Sequence, residues 1–262
     1  MNAVIQQIGL SRSGVKQNTA ERFSKAAKQY QQHARVQQQA ATRLFSLLKN
    51  DYDRLLDLGA GPLLHHEYLA NCASNVLSID LSHGMLSQGP TDTWRVCADM
   101  DNLPLQSGSV SGVFSNFAIQ WSESPAQLFK ELARVCKPNA HVVLSSVLNG
   151  SLKEIAQAWQ TLDDRCHVNQ FLTLQQLEQF ANDAGFTIQQ TQQVCLKDCF
   201  ANAKEAFKSV KSIGANQLQS QSIQRSGLMG KKRYEKLLAG YPLEHNQAVV
   251  SYEVAIMELV KL

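Results

Sequence analysis

The residues of this chain with the clearest potential chemistry stand where a short apolar run ends. Leu55–Leu58 contains one acid, Asp57, and the turn Gly59–Gly61 follows it directly. Glycines let the backbone approach a ligand closely, and N–H groups at the start of a following helix are left free to face that ligand. The pattern predicts a buried strand that turns into a helix above a nucleotide. The competing interpretation is a plain tight turn that binds nothing.

Two further runs also end in acids. Val76–Ile79 closes at Asp80, where a doubly wound sheet places a carboxylate that binds ribose. Trp94–Ala98 closes at Asp99, for which a simple turn residue is the alternative interpretation. Because the carboxyl ends of neighbouring parallel strands meet at one edge of a sheet, these acids predict a single cofactor crevice.

The position three residues after Gly61 separates the classes of cofactor. A dinucleotide fingerprint has glycine there, and this chain has Leu64, which argues against NAD and FAD. What remains, Asp-Leu-Gly-Ala-Gly followed by Asp80, resembles the first two motifs of class I S-adenosylmethionine-dependent methyltransferases. In that family the acid at the position of Asp99 accepts a hydrogen bond from the adenine amino group.

Composition limits the class of protein. The 262 residues are 44% hydrophobic and 18% charged, which suits one large α/β domain. A net charge of +3 does not imply an extended nucleic-acid surface. The six cysteines form no C-x-x-C pair and His65-His66 lacks the i,i+4 spacing of helical ligands, so no metal site and no disulfide framework is expected. With no long apolar segment, we expect a cytoplasmic protein without a membrane span.

The order of the predicted elements gives the fold class. We expect an α/β protein with a doubly wound, mostly parallel, seven-stranded sheet of the Rossmann-like class I methyltransferase type, with N-terminal helices and a helical insert before the last strand. Residues 1–18 are predicted to be flexible, and 19–262 to form the methyltransferase domain. Within it, 19–50 is a helical lid that Thr19 caps, and about 200–240 is a helical and loop insert. The last strand, 248–259, alternates apolar and polar residues.

The segment Ser115–Trp121 narrows the chemistry. Methyltransferases that act on amino groups of bases or glutamine commonly carry Asn/Asp-Pro-Pro-Tyr/Phe after this strand, whereas here Phe117 and Ala118 follow Asn116. Methylation of a planar exocyclic nitrogen is therefore disfavoured.

Several stretches together resemble one narrower family, the malonyl-acyl carrier protein O-methyltransferases of biotin synthesis. These stretches are 22–34, 115–121, 167–169 and 227–230, and the resemblance covers most of the chain from residue 19. It implies S-adenosylmethionine as the cofactor and, as the acceptor, the free carboxylate of a malonyl thioester on acyl carrier protein or coenzyme A. It also implies cofactor contacts from Asp57, Gly59, Ala60, Gly61, Asp80, Leu81, Met85, Asp99, Met100, Asn116 and Phe117.

A carboxylate is already an oxygen nucleophile, so no general base is expected. Phe117, Ile119 and Trp121 are predicted either to keep the acceptor site dry or to be plain core residues. Tyr30 is predicted to close over the site from the lid, with a packing helix as the alternative. Arg225 is the first candidate for holding the carboxylate, ahead of a histidine and an asparagine. The residues predicted to position the substrate are thus Tyr30, Trp121, His167, Asn169 and Arg225.

One departure from the motif concerns Leu63, which stands where the family has a third glycine. Its side chain is expected either to crowd the methionine half of the cofactor or to lean into the core. Leu63 therefore keeps open a second function, an inactive S-adenosylmethionine-binding interaction protein. A methyltransferase for another small acceptor, such as a quinone or organic acid, also stays open because it would share the motifs of the first half. Basic residues suited to an acidic carrier, or simply to water, are Lys204, Lys208, Lys211, Lys231, Lys232 and Arg233.

Overall fold

The computed structural model describes residues 6–7, 14–212 and 230–262, with side chains over 14–210 and 230–262. Helices and strands alternate through the first half of the chain, as predicted. In order they are β1 (Gln6–Gln7), α1 (Gly14–His33), α2 (Arg35–Phe45), β2 (Leu55–Leu58), α3 (His66–Cys72), β3 (Val76–Asp80), α4 (His83–Leu86), β4 (Trp94–Cys97), β5 (Val110–Asn116), a 3-10 turn (Ile119–Trp121), α5 (Pro125–Val135), β6 (Cys136–Val147), α6 (Lys153–Gln160), α7 (Leu174–Asp183), β7 (Phe186–Phe200), α8 (Ala203–Ser212), α9 (Lys231–Ala239), β8 (Leu243–Glu244) and β9 (Gln247–Lys261).

The strands form one sheet in the order β1-β4-β3-β2-β5-β6-β9-β7. Pairing is parallel from β1 to β6, and β9 runs antiparallel to both of its neighbours. The predicted doubly wound, mostly parallel sheet of seven strands is therefore confirmed, and two strands of two residues each, β1 and β8, extend it within the described residues. The strand order reverses between β2 and β5, which opens a crevice above their carboxyl ends.

Helices cover both faces of the sheet and fill two apolar clusters. One contains residues of α2, α6 and α8, and the other residues of α5 and α7. All four residues of β2 are buried, as expected for a central parallel strand. The cofactor-binding turn predicted after β2 is thus anchored to the most enclosed strand of the sheet.

The prediction for the last strand needs correction. β9 lies between β6 and β7 and is covered on both faces, so its residues do not alternate between buried and exposed. Ser251 is buried, and its hydroxyl and backbone N–H both donate to the carboxylate of Glu154, at 2.6 and 3.0 Å. Polar residues along β9 therefore have partners inside the protein, which the periodicity of the sequence did not indicate.

The start of the domain also differs from the prediction. α1 begins at Gly14, so residues 14–18 of the segment predicted to be flexible are helical. Thr19 is not a cap, because it lies within the helix and its hydroxyl donates to the carbonyl of Val15 at 3.0 Å. The early start has a tertiary cause, since Lys16 is held by two acids that are distant in sequence.

The insert predicted at about 200–240 is bounded by α8 and α9, which pack against each other and against α1 and α6 respectively. Arg225 and residues 227–229 of the stretch that resembles the family lie outside the described residues. Over the described ranges, none of the helices combines the length and the apolar character needed to cross a membrane.

Candidate active site

A cavity above the carboxyl ends of β2, β3 and β5 brings together most of the residues predicted to bind the cofactor. We call it the main cavity, and α1 forms its roof through Lys16, Thr19, Ala20, Phe23 and Tyr30. The predicted cofactor residues in its lining are Gly59, Gly61, Asp80, Leu81, Met85, Asp99, Met100, Asn116 and Phe117. Asp57 and Ala60 line a smaller adjoining cavity that shares both glycines.

The two glycines after β2 have different physical reasons for lacking a side chain. Gly59 has a φ of +71°, and a Cβ there would collide with the Cβ of Ala118. Gly61 has a φ of +56°, and a Cβ there would point into space with nothing within 4 Å. Gly59 thus allows close packing of the turn, whereas Gly61 leaves the floor of the cavity open for a ligand.

Asp80 is fixed by backbone donors on both sides. The N–H of Gly61 donates to Oδ2 at 2.9 Å, and that of Ser82 donates to Oδ1 at 2.7 Å. The Ser82 hydroxyl in turn accepts from the N–H of Met85 and caps α4. The carboxylate is therefore held at the carboxyl end of β3, where a ribose-binding acid is expected.

Asp57 is buried beneath the same turn. Its Oδ2 has no hydrogen-bond partner among the described residues. Burial, together with the charge of Asp80, raises the pKa of the Asp57 carboxyl to about 8. A buried carboxyl oxygen without a donor, at the wall of a cavity, fits a ligand that supplies a cation or an N–H group.

Asp99 is engaged by a residue that the sequence did not indicate. Its Oδ2 accepts from Nζ of Lys16 at 2.6 Å, and its Oδ1 accepts from the N–H of Asp101 at 3.0 Å. Lys16 shares one helical face with Ala20, Phe23 and Tyr30. Its spacing from the predicted lid residue Tyr30 was therefore the sequence feature that could have indicated a position at the site.

Leu63 does not crowd the main cavity. It is 4% exposed and packs against Leu86 and Cys97, away from the cavity lining. Its φ is +59°, the left-handed conformation that a glycine would adopt without strain. Of the two interpretations of this departure from the motif, leaning into the core is the one observed.

The end of β5 is tied to its surroundings through Asn116. Its Nδ2 donates to the carbonyl of Gln37 on α2 at 2.9 Å, and its Oδ1 accepts from the Ser145 hydroxyl at 2.8 Å. The same hydroxyl accepts from the N–H of Phe117, whose φ is +52°. This left-handed backbone costs about 1 kcal/mol and turns the Phe117 ring into the cavity wall.

Behind this wall lies a second cavity. It shares Phe23, Tyr30, Phe117 and Trp121 with the main cavity, and Asn169 lies on its far side. No charged side chain contributes to its lining within the described residues. Burial, and then the charge of Asp80, raises the pKa of the Tyr30 hydroxyl, which therefore stays protonated. Tyr30, Trp121 and Asn169 thus lie together at this cavity, and their contact with the acceptor stays a prediction. Ile119 is a core residue.

Another predicted substrate residue, His167, does not belong to the lining of this cavity. Nε2 of His167 lies 2.6 Å from Oδ1 of Asp163, and its ring stacks on Trp159 with centroids 3.9 Å apart. His167 therefore joins the end of α6 to the following loop and belongs to the lining of neither cavity, so the structure gives its predicted contact with the acceptor no support. Arg225 lies outside the described residues.

A pH dependence of stability follows from the burial of Asp57. In the unfolded chain an aspartate has a pKa of about 3.9, so between about pH 4 and pH 8 the folded state holds a proton that the unfolded state has lost. The contribution of Asp57 to stability should therefore fall by about 1.4 kcal/mol per pH unit as the pH rises through this window. Urea unfolding of the ligand-free protein and of Asp57→Asn should show a flatter profile for the variant; identical profiles would contradict the burial argument.

The position of Leu63 generates a second prediction. Leu63→Gly should lower the free energy of unfolding by about 2 kcal/mol, because lost burial outweighs relief of the left-handed strain. Leu63→Ala should cost about 1 kcal/mol more, because alanine keeps the strain. Calorimetric affinity for S-adenosylhomocysteine, the product form of the expected cofactor, should be the same in both variants and in the parent. A marked gain in affinity for Leu63→Gly would mean that Leu63 obstructs the cavity.

Comparison with known proteins places this chain in a family. Residues 56–144 match the model of the methyltransferase domain family. Solved structures with the same fold include the YcgJ protein of Bacillus subtilis, with a TM-score of 0.58, 11% identity and coverage of 85% of this chain and 97% of that one. A putative methyltransferase of Bacillus halodurans has a TM-score of 0.58, 17% identity and coverage of 84% and 97%.

Curated relatives are more similar in sequence. A malonyl-acyl-carrier protein O-methyltransferase of a Marinomonas species is 32% identical over 95% of both chains, and that of Hamiltonella defensa is 30% identical over 90% of this chain and 91% of its own. The biotin biosynthesis bifunctional protein BioHC of Cellvibrio japonicus is 33% identical over 94% of this chain, which spans half of that longer protein. The resemblance predicted from the sequence is confirmed, and the chain belongs to the family of malonyl-acyl-carrier protein O-methyltransferases.

Proposed function

We propose that this chain transfers a methyl group from S-adenosylmethionine to the free carboxylate of malonyl-acyl carrier protein, forming the methyl ester early in biotin synthesis. Malonyl-coenzyme A is the alternative form of the same thioester. The observation that carries the proposal is the pair of adjoining cavities: one lined by the glycine turn and by acids, the other mostly apolar and uncharged over its described lining. Tyr30, Phe117 and Trp121 belong to both, so a donor and an acceptor would meet there.

The residues of the main cavity fit S-adenosylmethionine. Gly61 leaves open space, Asp80 is oriented for a ribose, and Asp99 lies at the next strand end for an adenine amino group. The partnerless oxygen of Asp57 suits the ammonium group of the methionine half. When bound, S-adenosylmethionine supplies a methyl group on a positively charged sulfur, which a carboxylate oxygen can attack without a general base.

The second cavity suits an anionic acceptor that must be reactive. Attack of a carboxylate on a sulfonium removes both charges, so a wall that excludes water favours the reaction more than a polar one. Phe117 and Trp121 supply that wall, and the rings of Trp121 and Phe23 make a T-shaped contact with centroids 5.3 Å apart. Tyr30, which keeps its proton, and Asn169 offer neutral hydrogen-bond donors that can orient the carboxylate without a strong ion pair.

A docking surface for the carrier lies on α8 and α9. Val210 of α8 lines the second cavity, while Lys204 and Lys208 on the same helix are exposed. Lys231 and Lys232 are exposed at the start of α9, which packs against α8. An acidic acyl carrier protein bound to these lysines would have its thioester arm close to the cavity.

The function is tested by incubating the protein with S-adenosylmethionine and malonyl-acyl carrier protein and weighing the intact carrier by mass spectrometry. The expected result is a carrier heavier by one methylene group, with no gain on acetyl-acyl carrier protein, which has no free carboxylate. No gain on the malonyl form, from a protein that binds S-adenosylhomocysteine, would favour another acceptor or the inactive interaction protein. Failure to bind S-adenosylhomocysteine would contradict the cofactor assignment itself.

The docking surface gives a further prediction. Lys208→Glu should raise the KM for malonyl-acyl carrier protein by about fivefold, because it places a repulsive charge beside an acidic partner, and should leave the affinity for S-adenosylhomocysteine unchanged. The effect should shrink at high ionic strength. Lys130→Glu is the matched control, since Lys130 is exposed on α5, which packs in the other apolar cluster. Equal KM values of Lys208→Glu and Lys130→Glu for malonyl-acyl carrier protein would mean that the carrier does not dock on α8 and α9.

A further inference from the structure

Lys16 makes a buried ion-pair bridge at the rim of the main cavity. Its Nζ lies 2.6 Å from Oδ2 of Asp99 and 2.7 Å from Oδ2 of Asp101. The three side chains are only 10%, 11% and 9% exposed, respectively. Charge-assisted hydrogen bonds of this length, shielded from water, fix the positions of the groups that they join.

Asp101 extends this bridge to a third segment. The Ser122 hydroxyl donates to its Oδ1, and the N–H of Glu123 donates to its Oδ2 at 3.1 Å. Ser122 directly follows Trp121, which belongs to the walls of both cavities. Lys16 thus connects α1 to the loop after β4 and, through Asp101, to the segment that carries Trp121.

A second contact holds the middle of α1. The hydroxyls of Ser24 and Ser82 lie 2.7 Å apart, and a Cβ on Gly84 would lie 2.6 Å from the Cβ of Ser24. The Ser82 N–H donates to Asp80, so this contact connects α1 to a second acid of the main cavity. Between the two contacts lies Ala20, which faces the cavity.

We propose that Lys16 is a positioning residue for cofactor binding: its ion pairs hold α1 as the roof of the main cavity and fix the carboxylate of Asp99. Without the ammonium group, Asp99 and Asp101 repel each other and the amino end of α1 loses its attachment. Phe23 and Tyr30, farther along the helix, then lose the position from which they close the site. The proposal rests on the proposed function only in taking the main cavity as the S-adenosylmethionine site, and it does not depend on the acceptor.

The test compares three variants of the full chain. Lys16→Met removes the charge and keeps the length of the side chain, Lys16→Arg keeps the charge, and Lys28→Met is the control at an exposed lysine of the same helix. Affinity for S-adenosylhomocysteine is measured by calorimetry. Limited digestion with chymotrypsin, which cuts after Phe23 and Tyr30, reports detachment of α1 in the ligand-free protein.

Lys16→Met should bind S-adenosylhomocysteine about tenfold more weakly or worse and should be cut faster within α1. Lys16→Arg should recover most of the affinity, and Lys28→Met should match the parent in both measurements. Wild-type affinity in Lys16→Met, or unchanged protection of α1, would overturn the proposal. Should Lys16→Met fail to fold, Asp101→Asn is tested with the same two measurements and the same expected results. This variant weakens the ion-pair bridge but does not leave two carboxylates facing each other without a cation.

The two proposals fail differently. A parent protein that does not bind S-adenosylhomocysteine contradicts the proposed function, whereas the digestion still reports whether Lys16 holds α1. A parent that binds it, together with a Lys16→Met variant of equal affinity, contradicts the role of Lys16 alone.

Discussion

The site depends on the burial of β2 between β3 and β5. All four residues of the strand are enclosed, and parallel pairing sets Leu58 beside Ile79 and Asp57 beside Phe114. This register brings three strand ends to one edge of the sheet. The N–H groups of Gly59 and Ala60 then both donate to the carbonyl of Ile79, at 2.7 and 3.0 Å, which turns the chain towards α3 and opens the crevice.

Three acids at this edge avoid mutual repulsion in three different ways. Asp57 has no donor for Oδ2 among the described residues, and its burial favours the protonated form. Asp80 is compensated by two backbone N–H groups, and Asp99 by the ammonium of Lys16. Each carboxyl group therefore has its own environment, which suits a ligand that carries an ammonium group, a ribose and an adenine along its length.

Local sequence was sufficient for the parts of the site that local geometry determines. Backbone constraints that act over a few residues determine strand β2, the glycine turn after it and the acid that ends the next strand. The sequence could therefore assign Gly61 and Asp80 to the crevice. Family resemblance added Tyr30, Trp121 and Asn169, which lie far apart in sequence and converge on the second cavity.

Long-range packing determined what the sequence did not reveal. Lys16 has partners 83 and 85 residues away, so its spacing from Phe23 and Tyr30 could place it on the same helical face, but no local pattern indicated its ion pairs. The left-handed backbone of Leu63 preserves the turn of a missing glycine, and its side chain points into a core that the motif does not show. The sequence did not indicate that His167 stacks on Trp159 and pairs with Asp163. Both contacts depend on how α6 and the loop after it are oriented, which local pattern does not determine.

The most direct test of this account is a crystal structure of the protein with S-adenosylhomocysteine. The account predicts the ligand in the main cavity beneath α1, with its ribose beside Asp80, its adenine beside Asp99 and its amino group towards Asp57. It also predicts that Lys16 remains paired with Asp99 and Asp101 in the complex. A ligand bound outside this cavity, or an α1 displaced from Asp99 and Asp101 while the ligand is bound, would contradict it.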